Sequence, residues 1–223
     1  IVSCFSIHEK KVVWQKFKKD FSIEDFWVYR NQELGFVFSS KFNLNRLFTH
    51  TNPKGITTYE FSLPEMFERY HVESSDNGVF VLICQSNGDM YAYQNGSVLW
   101  NNHLDPPVIE KSVTFPLLMD INNEGSTIIA YTASEYGKTT YLSLILDNKG
   151  EITWNQRAES SFLAIQFAQD STKWLLSMEH ATQVLDLKGN ILFQRKQYGY
   201  SPVWASLGRS EERRVGKECA TLC

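Results

Sequence analysis

Cysteine is scarce in this 223-residue chain and no two cysteines adjoin: Cys4, Cys84, Cys219 and Cys223 are the whole set. Their spacing makes neither a disulfide framework nor a metal-binding pair, so a stapled mini-fold and a zinc module are excluded. Long apolar runs are missing too. Nothing approaches the roughly 18–20 consecutive apolar residues of a membrane span, and no charged-then-apolar leader opens the chain. There is no basic excess; the net charge of −3 argues against a nucleic-acid surface. A phosphate-cradling glycine loop, a Gly-x-Ser-x-Gly elbow and a His-Glu-x-x-His helix are all absent, which removes the commonest hydrolase and nucleotide templates. The five histidines, His8, His50, His71, His103 and His180, show no metal-ligand spacing. Each reads as a solvated or hydrogen-bonded side chain. Nothing in the composition fixes a compartment.

What the chain does have is a recurrence. A glycine precedes an aromatic ring by four positions at Gly55 to Tyr59, Gly96 to Trp100, Gly150 to Trp154 and Gly189 to Phe193, and Lys10 to Trp14 repeats the step with lysine for glycine. The aromatics are 45, 41, 54 and 39 residues apart. Self-similarity at a period of about 40–50 residues, built from short strands, is the mark of propeller blades. With 43% hydrophobic and 14% aromatic residues the chain has the means to fill the spaces between them.

The clearest unit runs from Tyr70 to Leu104. Gly78 to Cys84 is a short apolar run, Asn87-Gly88 and Asn95-Gly96 read as type I′ hairpin turns, and alternating strands lie between. Four antiparallel strands make one blade. The same plan predicts an all-β propeller fragment, an open ring with about four to five blades represented. Its units cover approximately residues 1–17 (partial), 24–63, 68–104, 111–157, 161–196 and 200–208 (partial), a single partial propeller domain over 1–208. Trp14, Tyr59, Trp100, Trp154 and Phe193 are expected to be the large rings that fill the wedge between blades. Glu24 and Asp25, at the entry to a strand, read as a solvated turn. An open array leaves an apolar face at each end, so residues 1–208 are expected to self-associate.

The two ends read differently from the middle. Ile1 to Ile7 already alternates as a strand, so a preceding half-blade is expected to be missing. Arg209 to Cys219 resembles, over eleven consecutive residues, the translation of a sequencing-library adapter, and residues 209–223 are expected to be a non-native tail. Without it the chain holds 18 basic and 22 acidic residues, a mildly acidic balance.

The stretches Asp147-Asn148-Lys149-Gly150-Glu151-Ile152-Thr153-Trp154 and Asp186-Leu187-Lys188-Gly189-Asn190-Ile191-Leu192-Phe193 resemble the outer hairpin of quinoprotein-like (PQQ-like) and WD40-like propeller repeats. Phe167 to Leu176 looks like their inner-strand turn. The resemblance implies either a repeat scaffold or a propeller enzyme. In quinoprotein dehydrogenases a cofactor and a calcium ion sit on the axis, often beside adjacent cysteines; arylsulfotransferases place histidines there. Adjacent cysteines, the Trp-Asp and Gly-His pairs of WD40 repeats and the double glycines of kelch repeats do not occur here. No cofactor and no metal are therefore expected.

Fold logic gathers any binding residues on the loops that join strands and blades. The loop candidates are His103 and Asp105 before the double proline, Tyr136 in a longer hairpin, His180 in a short turn, and Tyr198 with Tyr200 between units. The leading expectation is a non-catalytic scaffold that binds a protein or peptide on this loop face, without nucleic acid or a membrane span. The alternative is a piece of a propeller enzyme, a PQQ-like dehydrogenase or an arylsulfotransferase relative, whose active-site residues lie mostly elsewhere.

Overall fold

Period-2 alternation and glycine turns give strands that each pair with the next in sequence. The computed structural model describes residues 2–6, 11–16, 18–29, 32–41, 45–64, 70–104, 114–135, 138–158, 160–168 and 170–196. These form a two-stranded ribbon, β1 (Val2–Ser6) and β2 (Lys11–Lys16), followed by four antiparallel sheets of four strands each. Sheet one is β3 (Phe21–Val28), β4 (Leu34–Ser40), β5 (Arg46–Thr51) and β6 (Thr57–Ser62). Sheet two is β7 (Tyr70–Ser74), β8 (Phe80–Gln85), β9 (Asp89–Gln94) and β10 (Ser97–His103). Sheet three is β11 (Thr114–Ile121), β12 (Thr127–Glu135), β13 (Lys138–Leu146) and β14 (Ile152–Ala158), and sheet four is β15 (Phe162–Phe167), β16 (Lys173–Met178), β17 (Ala181–Asp186) and β18 (Ile191–Lys196). Within every sheet the strands lie in chain order, so each is an up-and-down meander.

The cores lie between sheets, not within them. Phe80, Leu82 and Cys84 of β8 face Ile129 and Tyr131 of sheet three, while Val81 and Ile83 of the same strand face Val37 and Phe48 of sheet one. Strand β12 divides in the same way: Ile129 and Tyr131 look back to sheet two, Ile128 and Ala130 forward to sheet four. A strand covered on both faces must be apolar at every position, which is why β8 is a continuous hydrophobic run rather than an alternating one. The fourth strands are largely exposed, β18 throughout, and so is β3, the first strand of sheet one. Strand β11 touches β7 and β8 on one side and β15 on the other, so the first strands of successive sheets come together. This is the stacking of propeller blades, with first strands innermost and fourth strands on the rim.

The outer hairpins share one irregularity. In each of the four sheets the ladder between third and fourth strands slips by one residue, and the residue left out directly precedes the repeated aromatic: Thr58, Leu99, Thr153 and Leu192. The ribbon repeats the slip at Val13, before Trp14. A one-residue bulge reverses which face the following side chain occupies, so it sets the side on which the ring emerges. Where the bulged residue is threonine its hydroxyl donates to the opposite strand, Thr58 to the His50 carbonyl at 3.2 Å and Thr153 to the Ile145 carbonyl at 3.3 Å.

The turns are as regular as the bulges. At Asn52, Asn122, Asp147 and Asp186 a side-chain Oδ1 accepts the backbone N–H groups two and four residues on, at 2.8–3.0 Å. The residue three places on is a glycine with φ between 77° and 86°. That left-handed conformation strains any residue with a Cβ. Those glycines also sit against rings of the preceding unit. A Cβ at Gly55 would lie 2.7 Å from Trp14, at Gly150 2.8 Å from Trp100, and at Gly189 it would overlap Trp154; at Gly96, in the Asn95-Gly96 turn, it would lie 3.1 Å from Tyr59. The glycine-to-aromatic step is thus two halves of different contacts. Its glycine receives the ring before it, and its own ring reaches the glycine of the next sheet. Phe193, beyond which no further sheet is described, is 57% exposed.

Two sequence expectations need correction. Asn95-Gly96 has positive φ at both positions, as type I′ requires, but at Asn87-Gly88 only Gly88 does. There Gly88 N–H bonds the Gln85 carbonyl at 3.0 Å, and the side chain of Asn87 holds Asp89 by both its atoms, making a three-residue loop. Glu24 and Asp25 lie inside β3 at a bulge, not in a solvated turn. Glu24 is held there by Arg46, whose Nε donates to its carboxylate at 2.9 Å, and by the hydroxyl of Tyr70.

Candidate functional site

An up-and-down meander sends its first-to-second and third-to-fourth turns to one end of the sheet and its remaining connections to the other. The first end carries the four Asx-glycine turns and is occupied with holding neighbouring sheets. The second end carries the connections of uneven length. Of the six sequence-predicted residues, His103 and His180 lie at this second end. Asp105, Tyr136, Tyr198 and Tyr200 lie outside the described residues. His103 closes β10, and His180 is exposed in the β16–β17 turn beside Glu179, whose N–H bonds the Ser161 carbonyl at 3.0 Å. The two histidines belong to sheets two and four, with sheet three between them, so they form no common site.

His103 has a constructed environment. Because His103 pairs with Asp89 across the β9–β10 ladder, their side chains emerge on one face, and His103 Nδ1 lies 2.7 Å from Asp89 Oδ1. The other carboxylate oxygen accepts from Asn87 Nδ2 at 2.6 Å. The hydrogen bond from His103, ahead of the one from Asn87, holds the Asp89 carboxyl below its ordinary range. Tyr91, Asn101 and Asn102 complete an open depression of about 320 Å³. Asn102 is committed to structure: its Nδ2 donates to the Gly150 carbonyl at 2.9 Å and its Oδ1 accepts the His103 N–H at 2.8 Å. The imidazole–carboxylate pair has no serine, threonine or cysteine beside it among the lining residues, so the arrangement offers hydrogen bonds and a ring face rather than a nucleophile. Sequence reading found His103 but missed Asp89, fourteen residues earlier, because only the ladder register joins them.

Two titratable groups, a half-buried glutamate and a buried histidine, also escaped the sequence reading. Glu73, on the inner strand β7, has its carboxyl raised to about 7, first by burial and then by the Asp120 carboxylate on the next inner strand, with Asp25 adding to the rise. Hydrogen bonds from the Ser74 N–H and the Trp27 side chain oppose the shift without cancelling it. His50 is 4% exposed and stacks between Tyr59 and Tyr29, at 4.8 Å and 5.1 Å. His50 Nδ1 lies 2.5 Å from the Thr58 hydroxyl, and Nε2 lies 3.5 Å from the Glu33 carboxylate. Burial pushes the His50 imidazole down, against the pull of Glu33. Among the described residues no group of three or more His, Cys, Asp and Glu side chains could hold a metal ion, and no helix is long and apolar enough to cross a membrane.

No protein-family model and no curated protein matches the sequence. Solved structures do match the fold. The Dos1 propeller superposes with a TM-score of 0.52 at 12% identity, over 89% of this chain and 51% of that one. The β-propeller domain of Cps50 (Swd1) from Myceliophteria thermophila gives 0.51 at 8% identity, over 80% of this chain and 61% of its own. Hsv2p of Kluyveromyces lactis gives 0.51 at 12% identity, over 82% and 54%. The chain spans about half to three-fifths of the length of these structures. At such identities the likeness concerns architecture, and with the stacked meanders it shows what the chain is: an open array of four-stranded β-propeller blades.

Proposed function

We propose that this chain is a non-catalytic propeller scaffold that binds a protein or peptide segment at the blade end carrying His103, Asp89, Tyr91 and Asn101. The observation that carries the reading is the contrast between the ends. One end carries the Asx-glycine turns that interlock neighbouring blades; the other holds a polar, exposed depression in which Asn102 bonds the next blade while His103 and Asp89 bond each other. Loops freed from packing are where binding surfaces reside. The chemistry of the depression favours a peptide over a compact metabolite. Small-molecule sites are concave, largely apolar and enclose most of their ligand. Here an open surface offers an imidazole, a carboxylate, an amide and one aromatic face, a set suited to the donors and acceptors of an extended backbone.

Selection from a random peptide library on the immobilised chain tests this, with counter-selection on a His103→Ala/Tyr91→Ala variant. Peptides that bind the parent at least tenfold more tightly than the variant are expected. Enrichment of peptides indifferent to both substitutions, or of none at all, would contradict the assignment.

A further inference from the structure

We infer that an ordered water molecule is built into the junction of sheets two, three and four, held by the side-chain amide of Asn122. The site is a cavity of about 20 Å³ whose lining includes Asp76, Asp120, Asn122, Asn123, Phe167 and Ser171. A water molecule needs roughly 10–15 Å³ on this measure, so the space is large enough for one.

Asn122 supplies the reason for an occupant. It is 4% exposed, and its Oδ1 accepts the N–H groups of Glu124 and Ser126, both at 2.9 Å. Two backbone donors on one atom fix which end of the amide is oxygen. Its Nδ2 is therefore a donor, and it has no partner among the described residues. Buried amide donors in native proteins are satisfied by protein or by water.

The same turn elsewhere takes either residue, and at Asn52 an asparagine holds it. At Asp147 and Asp186 an aspartate fills the position, and at Asp186 the second oxygen accepts from Asn190 Nδ2 at 2.8 Å. At position 122 the carboxylates of Asp76 and Asp120 line the cavity, and a third would repel both. Asparagine keeps the turn and supplies a donor in place of a third carboxylate. A water molecule accepts from Nδ2 and donates to the carboxylates. Asp120 already takes the Ile121 N–H at 2.9 Å and, across the sheet boundary, the Phe167 N–H at 2.6 Å, but each carboxylate oxygen accepts more than one hydrogen bond. The water thus links Asp76 of sheet two to sheet three, and through Asp120 to sheet four.

A crystal structure of the full chain at a resolution that shows ordered water, together with melts of Asn122→Asp, tests the inference. Density for a water within hydrogen-bond distance of Nδ2 is expected. Asn122→Asp retains the turn, as Asp147 and Asp186 do, but loses the donor; its melting temperature is expected to fall by roughly 3–6 °C at pH 8. Absence of density beside Nδ2, or an Asn122→Asp variant that melts with the parent at pH 8, would overturn the assignment.

Discussion

Alanine at Gly189 is expected to destabilise the chain more than alanine at Gly150 or Gly55, and alanine at Gly96 least of the four. The backbone penalty is common to all. Their φ angles lie between 77° and 82°, so each substitution places a Cβ in left-handed backbone at a cost of about 1 kcal/mol. What separates them is the ring of the preceding unit. The new Cβ would meet Tyr59 at 3.1 Å from Gly96, a contact that a few tenths of an ångström relieves, Trp100 and Trp14 at 2.8 Å and 2.7 Å, and from Gly189 it would overlap the Trp154 ring. Trp154 cannot simply swing aside, because it packs edge-on against the fully buried Trp174 at 4.9 Å. Overpacking of this kind adds about 1–3 kcal/mol. Urea melts of the four variants should give midpoints in the order Gly96→Ala highest and Gly189→Ala lowest. Equal midpoints would mean that only the φ angle matters and the ring contacts do not.

Glu73→Gln is expected to stabilise the chain at pH 8 and to leave it nearly unchanged at pH 4. The folded-state carboxyl is raised to about 7 from an ordinary value of 4.5, so between those pH values the folded protein binds more protons than the unfolded chain. Stability associated with this group is therefore fully present below about 4.5 and is lost as pH rises to about 7. Glutamine reproduces the protonated form at every pH, so its advantage grows across that window and is flat above it. The full shift corresponds to about 3 kcal/mol, and partial exposure of the carboxyl lowers this to the order of 1–3 kcal/mol. The comparison must be a difference between variant and parent. His50 moves the parent the other way: its lowered imidazole binds fewer protons folded than unfolded, so that contribution is lost on acidification. Thermal melts of both proteins from pH 4 to 8 make the test. A gain for Glu73→Gln that does not depend on pH would show that ionisation is not its cause.

The blades were legible in the sequence because their signals are local. Asn95-Gly96 is a complete hairpin code, and the run Gly78 to Cys84 announces a strand with both faces covered. The interlock was not legible in the same way. Gly150 and Trp154 are four apart and look like partners, yet the glycine touches Trp100, one repeat earlier. Which ring reaches which glycine depends on the bulge at Thr153, and a one-residue slip leaves no compositional trace. Glu24 looked like loop because a charged residue seldom occupies mid-strand, but Arg46 and Tyr70, both distant in sequence, supply its partners. The candidate site shows the same limit. His103 was visible as an isolated histidine near a turn, whereas Asp89 and Tyr91 became its neighbours only through the register of β9 against β10.

A double-mutant cycle on Gly150 and Trp100 measures the inter-blade interlock most directly. Gly150→Ala and Trp100→Leu each destabilise the chain, the first by strain and the second by loss of a buried ring. If the glycine is the seat of that ring, removing the ring relieves the clash, and the double variant is less destabilised than the two single costs combined by on the order of 1–2 kcal/mol. Additivity within about 0.5 kcal/mol, the behaviour of sites that do not touch, would contradict it.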